Sequence, residues 1–178
     1  HQKLYVKSGN AIHDVTPIRK TSTNTLSFAA TNGSNIVTVT DSNHGAAAGD
    51  FVTISGASSL GGNINSAVLN QEYQVASVVS SNSYTIEAKN TSGNSVTAHA
   101  SDSGNGGGSV SGVYQINSGL DVYLPGTGWG IDSWGAGAWG SASDLSPLNQ
   151  LRLWSIDNFG DDTIAAVRAG GVYYWDES

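Results

Sequence analysis

The chain has 178 residues, a formal net charge of −7 and neither cysteine nor methionine. This length suits one domain, or one domain with a second inserted into it, and it is long enough to bury a sizeable core. The lack of cysteine excludes disulfides and thiolate metal sites. The negative net charge and the scattered basic residues argue against a nucleic-acid-binding surface. No apolar run in the sequence approaches the length of a membrane span.

The beginning of the chain predicts a β-hairpin. Residues 4–7 and 11–15 are short runs in which apolar residues alternate with others, and a Ser-Gly-Asn sequence separates them. Gly-Asn between two such runs is typical of a tight turn. Pro17 cannot donate a hydrogen bond to a neighbouring strand, so it ends this element.

A second unit is predicted from about residue 26 to residue 113. Residues 20–25 are polar and turn-like, which indicates a crossing into it, and residues 67–70 predict a helical turn or a short strand. The predicted strands are 26–29, 36–40, 51–55, 72–79, 84–88 and 109–116, with a weak one at 95–99. Short strands separated by turns predict a β-sandwich or a small β-barrel. The Gly/Ser-rich residues 101–108 predict a flexible connector.

A glycine- and tryptophan-rich segment follows at residues 129–140. Trp129, Trp134 and Trp139 are each followed by glycine, and they recur at a spacing of five that fits neither a helix nor a strand. Each indole is a large apolar ring with one N–H to satisfy. We therefore expect an ordered loop whose rings are buried, either in the core of this chain or against a neighbouring subunit.

The end of the chain predicts a three-stranded meander. Strands are expected at 150–155, 163–167 and 172–175, with turns at 157–162 and 168–171. One meander is marginal alone, so its face needs residues 1–19, another domain or further propeller-like blades to cover it. The predicted fold class is all-β: residues 1–19 and 117–178 form a β-meander body, which an inserted β-barrel or sandwich at 26–113 interrupts.

Several pieces of the sequence resemble a family of large virion proteins of tailed bacteriophages. The most specific resemblance lies in residues 151–162 followed by 171–176. The repeated Trp-Gly pairs also resemble that family, as do residues 4–6, 14–19, 106–110 and 114–117. The part from about residue 26 to residue 112 resembles a small β-barrel module common in phage tail proteins, through residues 35–40, 44–45, 49–56 and 82–86.

The resemblance implies a structural subunit of a phage particle, located in the virion as a tail hub, nozzle or tube protein. In that family these segments precede a longer, propeller-like region, whereas this sequence stops shortly after Asp176. Because it also begins with His1 and contains no methionine, we expect a processed, truncated or partly observed piece of a longer protein. The implied partners are other copies of the chain and neighbouring virion proteins, and no chemistry is implied.

The residue types that carry chemistry in other proteins form no convincing site in this sequence. The four histidines lack partners at metal-ligand spacing, and no Gly-x-Ser-x-Gly motif marks a serine hydrolase. Residues 157–162 hold the best acidic cluster, but the spacing does not match a calcium-binding loop, and we interpret its carboxylates as solvated turn residues. The sequence therefore predicts no catalytic residue, no metal and no cofactor.

Aromatic side chains remain as candidates for function. Buried against a partner they would form interface hot spots, whereas flat and half-exposed rings would bind sugars by stacking. We expect an assembly interface in which copies pack around a tail through heterologous contacts that close a ring; a host-surface carbohydrate-binding or adhesion module is the alternative. An acidic surface would also suit a conduit for DNA. The predicted interface residues are Trp129, Trp134, Trp139, Trp154, Tyr173, Tyr174 and Trp175.

Overall fold

The computed structural model describes residues 3–118, 153–168 and 170–176. Within these ranges the protein is all-β apart from one short helix, which confirms the predicted fold class. The strands are β1 (Tyr5–Ser8), β2 (Ala11–Asp14), β3 (Ile18–Ser22), β4 (Ser27–Ala30), β5 (Ile36–Thr40), β6 (Phe51–Ser55), β7 (Glu72–Gln74), β8 (Ser77–Ser80), β9 (Ser83–Glu87), β10 (Ser111–Gln115), β11 (Trp154–Phe159), β12 (Asp162–Val167) and β13 (Val172–Trp175), and helix α1 is Ser66–Leu69. None of the helical residues in these ranges forms a segment long and apolar enough to cross a membrane.

The chain divides into two compact units. We call His1–Pro17 together with Ser118–Ser178 the terminal unit, and Ile18–Asn117 the central unit. The terminal unit contains β1, β2 and β11 to β13, whereas β3 to β10 and α1 belong to the central unit. The central unit is therefore a continuous stretch of chain, and the terminal unit is assembled from both ends of the sequence.

Two four-stranded antiparallel sheets form the central unit. Their strand orders are β3-β10-β6-β7 and β4-β5-β9-β8. Buried apolar side chains from both sheets belong to one cluster, so the unit is a sandwich. None of the sheets in the described residues closes into a barrel. Of the two architectures that the sequence left open, the sandwich is present, and the closed barrel implied by the resemblance is not.

The core of the central unit follows from the alternation of residues along its strands. Val37 and Val39 in β5 are completely buried, and so is Val52 in β6, while the residues between them are more exposed. Successive side chains of a strand point to opposite faces, and β-branched residues pack well on such a surface. Each completely buried valine stabilises the fold by roughly 1.5–3 kcal/mol relative to an exposed one.

Three parts of the central unit differ from the sequence-based prediction. Residues 18–22 lie partly in the expected polar crossing but form the edge strand β3, because β10 supplies backbone hydrogen bonds that do not depend on side-chain polarity. The predicted strand at 72–79 is divided between the two sheets. The N–H of Val75 donates to the carbonyl of Asp50, next to β6, whereas the N–H of Ala76 donates to the carbonyl of Thr85 in β9 of the other sheet. The weak strand at 95–99 is reduced to one isolated bridge.

The Gly/Ser-rich residues 101–108 contact other parts of the central unit through their backbone. The N–H of Gly104 donates to the carbonyl of Leu60 over 2.7 Å. Gly106 has a φ of 85°, and a Cβ atom there would lie 2.4 Å from the ring of Phe28. Glycine is therefore required where this segment crosses the aromatic ring.

In the terminal unit, β1 and β2 form the predicted hairpin. Ser8 pairs with Ala11, so the turn consists of Gly9 and Asn10 alone. Gly9 has a φ of 58°, a conformation that glycine adopts without strain and that two-residue hairpin turns require.

The second sheet of the terminal unit is the antiparallel meander β11-β12-β13. Strand β11 continues to Phe159, which pairs with Asp162, so the turn between these strands is only Gly160 and Asp161. Gly160 has a φ of 72° and closes this short turn. The predicted turn was longer, and Asp157, which it included, lies in a strand.

Candidate interaction surfaces

The two faces of the β11–β13 sheet follow from the period of two along each strand. The register places Trp154 beside Val167 and Tyr173 beside Ala165, with all four side chains on one face. This face holds the buried side chains of the sheet, and we call it the sheet inner face. The opposite face, the sheet outer face, consists of Ser155, Asp157, Phe159, Asp162, Ile164, Ala166, Val172 and Tyr174.

Three predicted interface residues pack on the sheet inner face. The ring centroids of Trp154 and Tyr173 lie 6.0 Å apart with the planes tilted by 41°, and the indole N–H of Trp154 donates to the carbonyl of Ser118 over 2.8 Å. The ring of Trp175 lies 6.0 Å from that of His13 in the hairpin. All three are half-buried, so part of their aromatic surface is used for packing inside the terminal unit.

The sheet outer face combines exposed apolar side chains with carboxylates. Phe159, Val172 and Tyr174 are 66%, 73% and 58% exposed. The hydroxyl of Tyr174 donates to the carboxylate of Asp162, and this hydrogen bond raises the pKa of Tyr174 to about 12. Asp157, which lies on the same face, is exposed. This face therefore interleaves exposed apolar side chains with carboxylates.

The β1–β2 hairpin has an exposed face of similar character. We call the side chains that point away from His13 the hairpin outer face, and they are Tyr5, Lys7, Ile12 and Asp14. Ile12 is 70% exposed. The ammonium of Lys3 lies 2.7 Å from the carboxylate of Asp14 and pairs with it. This face therefore offers apolar contact area together with the positive charge of Lys7.

The structure distributes the predicted interface residues unevenly. Trp129, Trp134 and Trp139 lie outside the described residues. Of the others, the structure brings Trp154 and Tyr173 together on the sheet inner face and places Tyr174 on the outer face. Their role in an interface stays a prediction.

The sequence-based prediction selected Tyr174 but missed other exposed residues that the structure places on the two outer faces. Phe159 was assigned to a turn, and neither Val172 nor Ile12 was selected. The sequence contained the necessary information. Side chains alternate between the two faces along β11 and β13, so the residues of each face can be read from every second position. Clustering of aromatic residues drew the prediction to the face that is already half-covered.

A buried polar cluster in the central unit is centred on Asp41. Its carboxylate accepts hydrogen bonds from the hydroxyls of Ser22 (2.6 Å), Thr25 (3.0 Å) and Tyr114 (2.8 Å). The hydroxyls of Tyr114 and Tyr84 lie 3.1 Å apart. Burial raises the pKa of both tyrosines. These hydroxyls satisfy the carboxylate of Asp41 and one another, and the ammonium of Lys20 lies 3.7 Å from the same carboxylate, an arrangement that stabilises a fold.

Asp102 holds a loop of the central unit in place. Its carboxylate accepts backbone hydrogen bonds from Gly62, Asn63, Ile64 and His99 at 2.7–3.1 Å. Burial alone would raise the pKa of Asp102, but these four donors favour the charged form and lower it below 3.8. Asp102 therefore acts as a structural clamp on residues 62–64.

Comparison with known proteins shows a distant likeness in structure. No protein-family model matches the sequence, and no curated protein sequence matches it significantly. Among solved structures, the chain is similar to the endosialidase of phage phi92, with a TM-score of 0.40 and 19% sequence identity. The match covers 56% of this chain and only 13% of that one. The function of this protein therefore has to be argued from its own residues.

Proposed function

We propose that this protein is a non-enzymatic structural subunit of a bacteriophage particle, in the tail as a hub, nozzle or tube component, acting through contacts with copies of itself and with neighbouring virion proteins. The observation that carries the proposal is the pair of exposed apolar faces on the terminal unit, which expose side chains such as Ile12 and Val172. Exposed apolar area of this kind marks an interaction surface. The virion as the setting comes from the resemblance of the sequence.

The small number of buried apolar side chains in the described part of the terminal unit supports a role in assembly. Among its described apolar residues, only Val15, Ala165 and Val167 are buried. A three-stranded sheet with so few buried residues is marginally stable by itself. Burial of apolar surface is the dominant favourable contribution to most protein association, so covering these faces stabilises both the unit and the assembly.

The proposal assigns no chemistry to the chain. The polar groups with shifted pKa values in the central unit are engaged in hydrogen bonds with their own neighbours, as Tyr114 and Asp102 illustrate. That the protein is not an enzyme and uses no cofactor stays a prediction. The net charge of −7 would suit a surface that lines a DNA conduit, since like charge keeps the genome from adhering.

A carbohydrate-binding or adhesion module is the second candidate, because Trp154 and Tyr173 are half-buried rather than buried. Their rings are tilted instead of lying in one plane, and the N–H of Trp154 is already bonded within the chain. Both features favour packing over stacking on a sugar ring, so assembly is the better supported function.

Sedimentation velocity of the intact chain over a wide range of concentrations tests the proposal, together with electron cryomicroscopy of the phage particle. We expect reversible self-association and copies of the chain in the tail. A protein that stays monomeric at the highest attainable concentration, with its tryptophans already shielded from a quencher, contradicts assembly. Glycan binding that is lost in both Trp129→Ala and Trp134→Ala would support the carbohydrate candidate instead.

A further inference from the structure

The two exposed faces of the terminal unit have complementary charges. Within its strands the sheet outer face carries the carboxylates of Asp157 and Asp162, and the exposed Arg168 follows at the end of β12. On the hairpin outer face, Asp14 is paired with Lys3, so the charge offered to a partner is that of Lys7. Each face also presents exposed apolar side chains. An apolar surface with positive charge matches an apolar surface with negative charge.

The ring contact between the hairpin and the sheet does not involve either outer face. Within the hairpin, Val6 and His13 lie on the side opposite Lys7 and Ile12. His13 contacts Trp175, whose side chain belongs to the sheet inner face. In this contact the hairpin and the sheet meet through the sides opposite their outer faces, and neither outer face takes part in it.

We propose that copies of this chain associate head to tail, with the hairpin outer face of one copy packed on the sheet outer face of the next. Lys7 of one copy lies near Asp157 of its neighbour, and Ile12 packs against Ile164 and Tyr174, which the register places level with Asp157. The inference rests on the proposed assembly function and specifies which surfaces carry it. Because the contact joins unlike faces, each added copy leaves both kinds of face available, and the assembly grows into a ring or a filament.

Contact between two identical faces is disfavoured by the same charges. Two sheet outer faces packed together would bring Asp157 and Asp162 of one copy against the same carboxylates of the other. Two hairpin outer faces would bring the ammonium groups of Lys7 together. Like charges opposed across an interface weaken it, so the unlike pairing is the one that the charge distribution selects.

Charge reversal tests the contact. We expect Lys7→Glu and Asp157→Lys each to raise the dissociation constant of self-association at least about tenfold, because each opposes like charges. The double variant Lys7→Glu/Asp157→Lys should recover association close to that of the native chain. An equimolar mixture of the two single variants should also associate, since every junction in an alternating assembly then joins opposite charges. Sedimentation velocity at low ionic strength measures all four samples.

An apolar substitution tests the same contact independently of charge. Ile12→Ser should weaken association about tenfold, because this side chain is buried only when the next copy binds. Val79→Ser is the matched control, since Val79 is 63% exposed in the central unit and lies outside the proposed contact. Lys89→Glu in the central unit is the control for charge reversal. Both controls should leave the dissociation constant unchanged, and circular dichroism checks that every variant is folded.

The outcomes separate this contact from the wider function. Association of the native chain that Lys7→Glu, Asp157→Lys and Ile12→Ser leave unchanged overturns the head-to-tail contact and keeps the proposed function. An Asp157→Lys variant that associates more tightly, with Lys7→Glu neutral, indicates pairing of two sheet outer faces and also overturns it. A native chain that does not associate at any concentration contradicts both proposals.

Discussion

The two units of the chain treat apolar side chains in opposite ways. In the central unit Val37, Tyr84 and Ile86 are completely buried in one continuous cluster. In the terminal unit no described apolar residue is less than 6% exposed, and Val172 is 73% exposed. The central unit therefore has the core of a sandwich, whereas the described part of the terminal unit buries few apolar side chains. We expect most of the stability to reside in the first unit, and we place the proposed contacts on the second.

Spectroscopy can follow the two units separately. All five tryptophans are in the terminal unit, so tryptophan fluorescence reports on that unit alone, while far-UV circular dichroism reports on the strands of both. We expect two unfolding transitions, with the fluorescence transition at the lower denaturant concentration. Coincident transitions would contradict the contrast in stability.

The largest difference is expected from truncating an isoleucine in each unit. Ile86→Ala should lower the free energy of unfolding of the central unit by about 4 kcal/mol, because it leaves a cavity in a closely packed core. Ile12→Ala should change the free energy of unfolding of the terminal unit by less than about 0.5 kcal/mol, as is usual for an exposed side chain. Denaturant titration of monomeric samples measures both, and equal effects would show that the two units do not differ in packing.

Removing a carboxylate from each unit should give the next largest difference. Asp41→Ala leaves the hydroxyls of Ser22 and Tyr114 in the core without their acceptor, which should cost about 3 kcal/mol. Asp157→Ala removes an exposed carboxylate and should cost less than about 0.5 kcal/mol. The unfolding transition of each variant, followed by circular dichroism, measures the loss of stability. An Asp41→Ala variant as stable as the native protein would mean that the buried cluster contributes little to stability.

Glycine substitutions should separate the units by a smaller margin. Gly56 has a φ of 76°, and a Cβ atom there would lie 2.3 Å from the carbonyl oxygen of Ser109. At Gly9, with a φ of 58°, a Cβ atom would meet nothing within 4 Å. Gly9→Ala should therefore cost about 1 kcal/mol for the backbone conformation alone, and Gly56→Ala at least about 1 kcal/mol more for the collision. Thermal unfolding of both variants tests this order.

The smallest effect is expected from pH. Asp102 binds a proton less readily in the folded state than in the unfolded state, where its pKa has the ordinary value of an aspartate carboxyl, about 3.9. Its stabilising contribution is therefore complete above that value and is lost as the pH falls through the lower pKa of the folded state. The native protein should lose stability in this acidic range more steeply than the Asp102→Asn variant does, when the free energy of unfolding is measured against pH. Parallel curves for the two proteins would show that Asp102 does not cause the loss.

Local pattern predicted much of the secondary structure, because it depends on residues close in the sequence. The β-branched alternation of Ile36–Thr40 and Phe51–Ser55 gave both strands with correct bounds, and Gly-Asn gave the first hairpin turn. Prediction failed where long-range pairing decides: β3 is a strand because β10 lies beside it, and the run from Glu72 to Ser80 divides because its halves pair with different sheets.

The sequence by itself determined that the protein is all-β, acidic and rich in aromatic residues towards its end, since composition and alternation are properties of the chain. Only the tertiary structure decided which side of each strand is covered. Tyr173 and Tyr174 are identical neighbours in the sequence, yet one packs with Trp154 and the other is exposed beside Asp162. Exposure depends on what lies across from a side chain, and that is fixed by register and packing between segments far apart in the sequence.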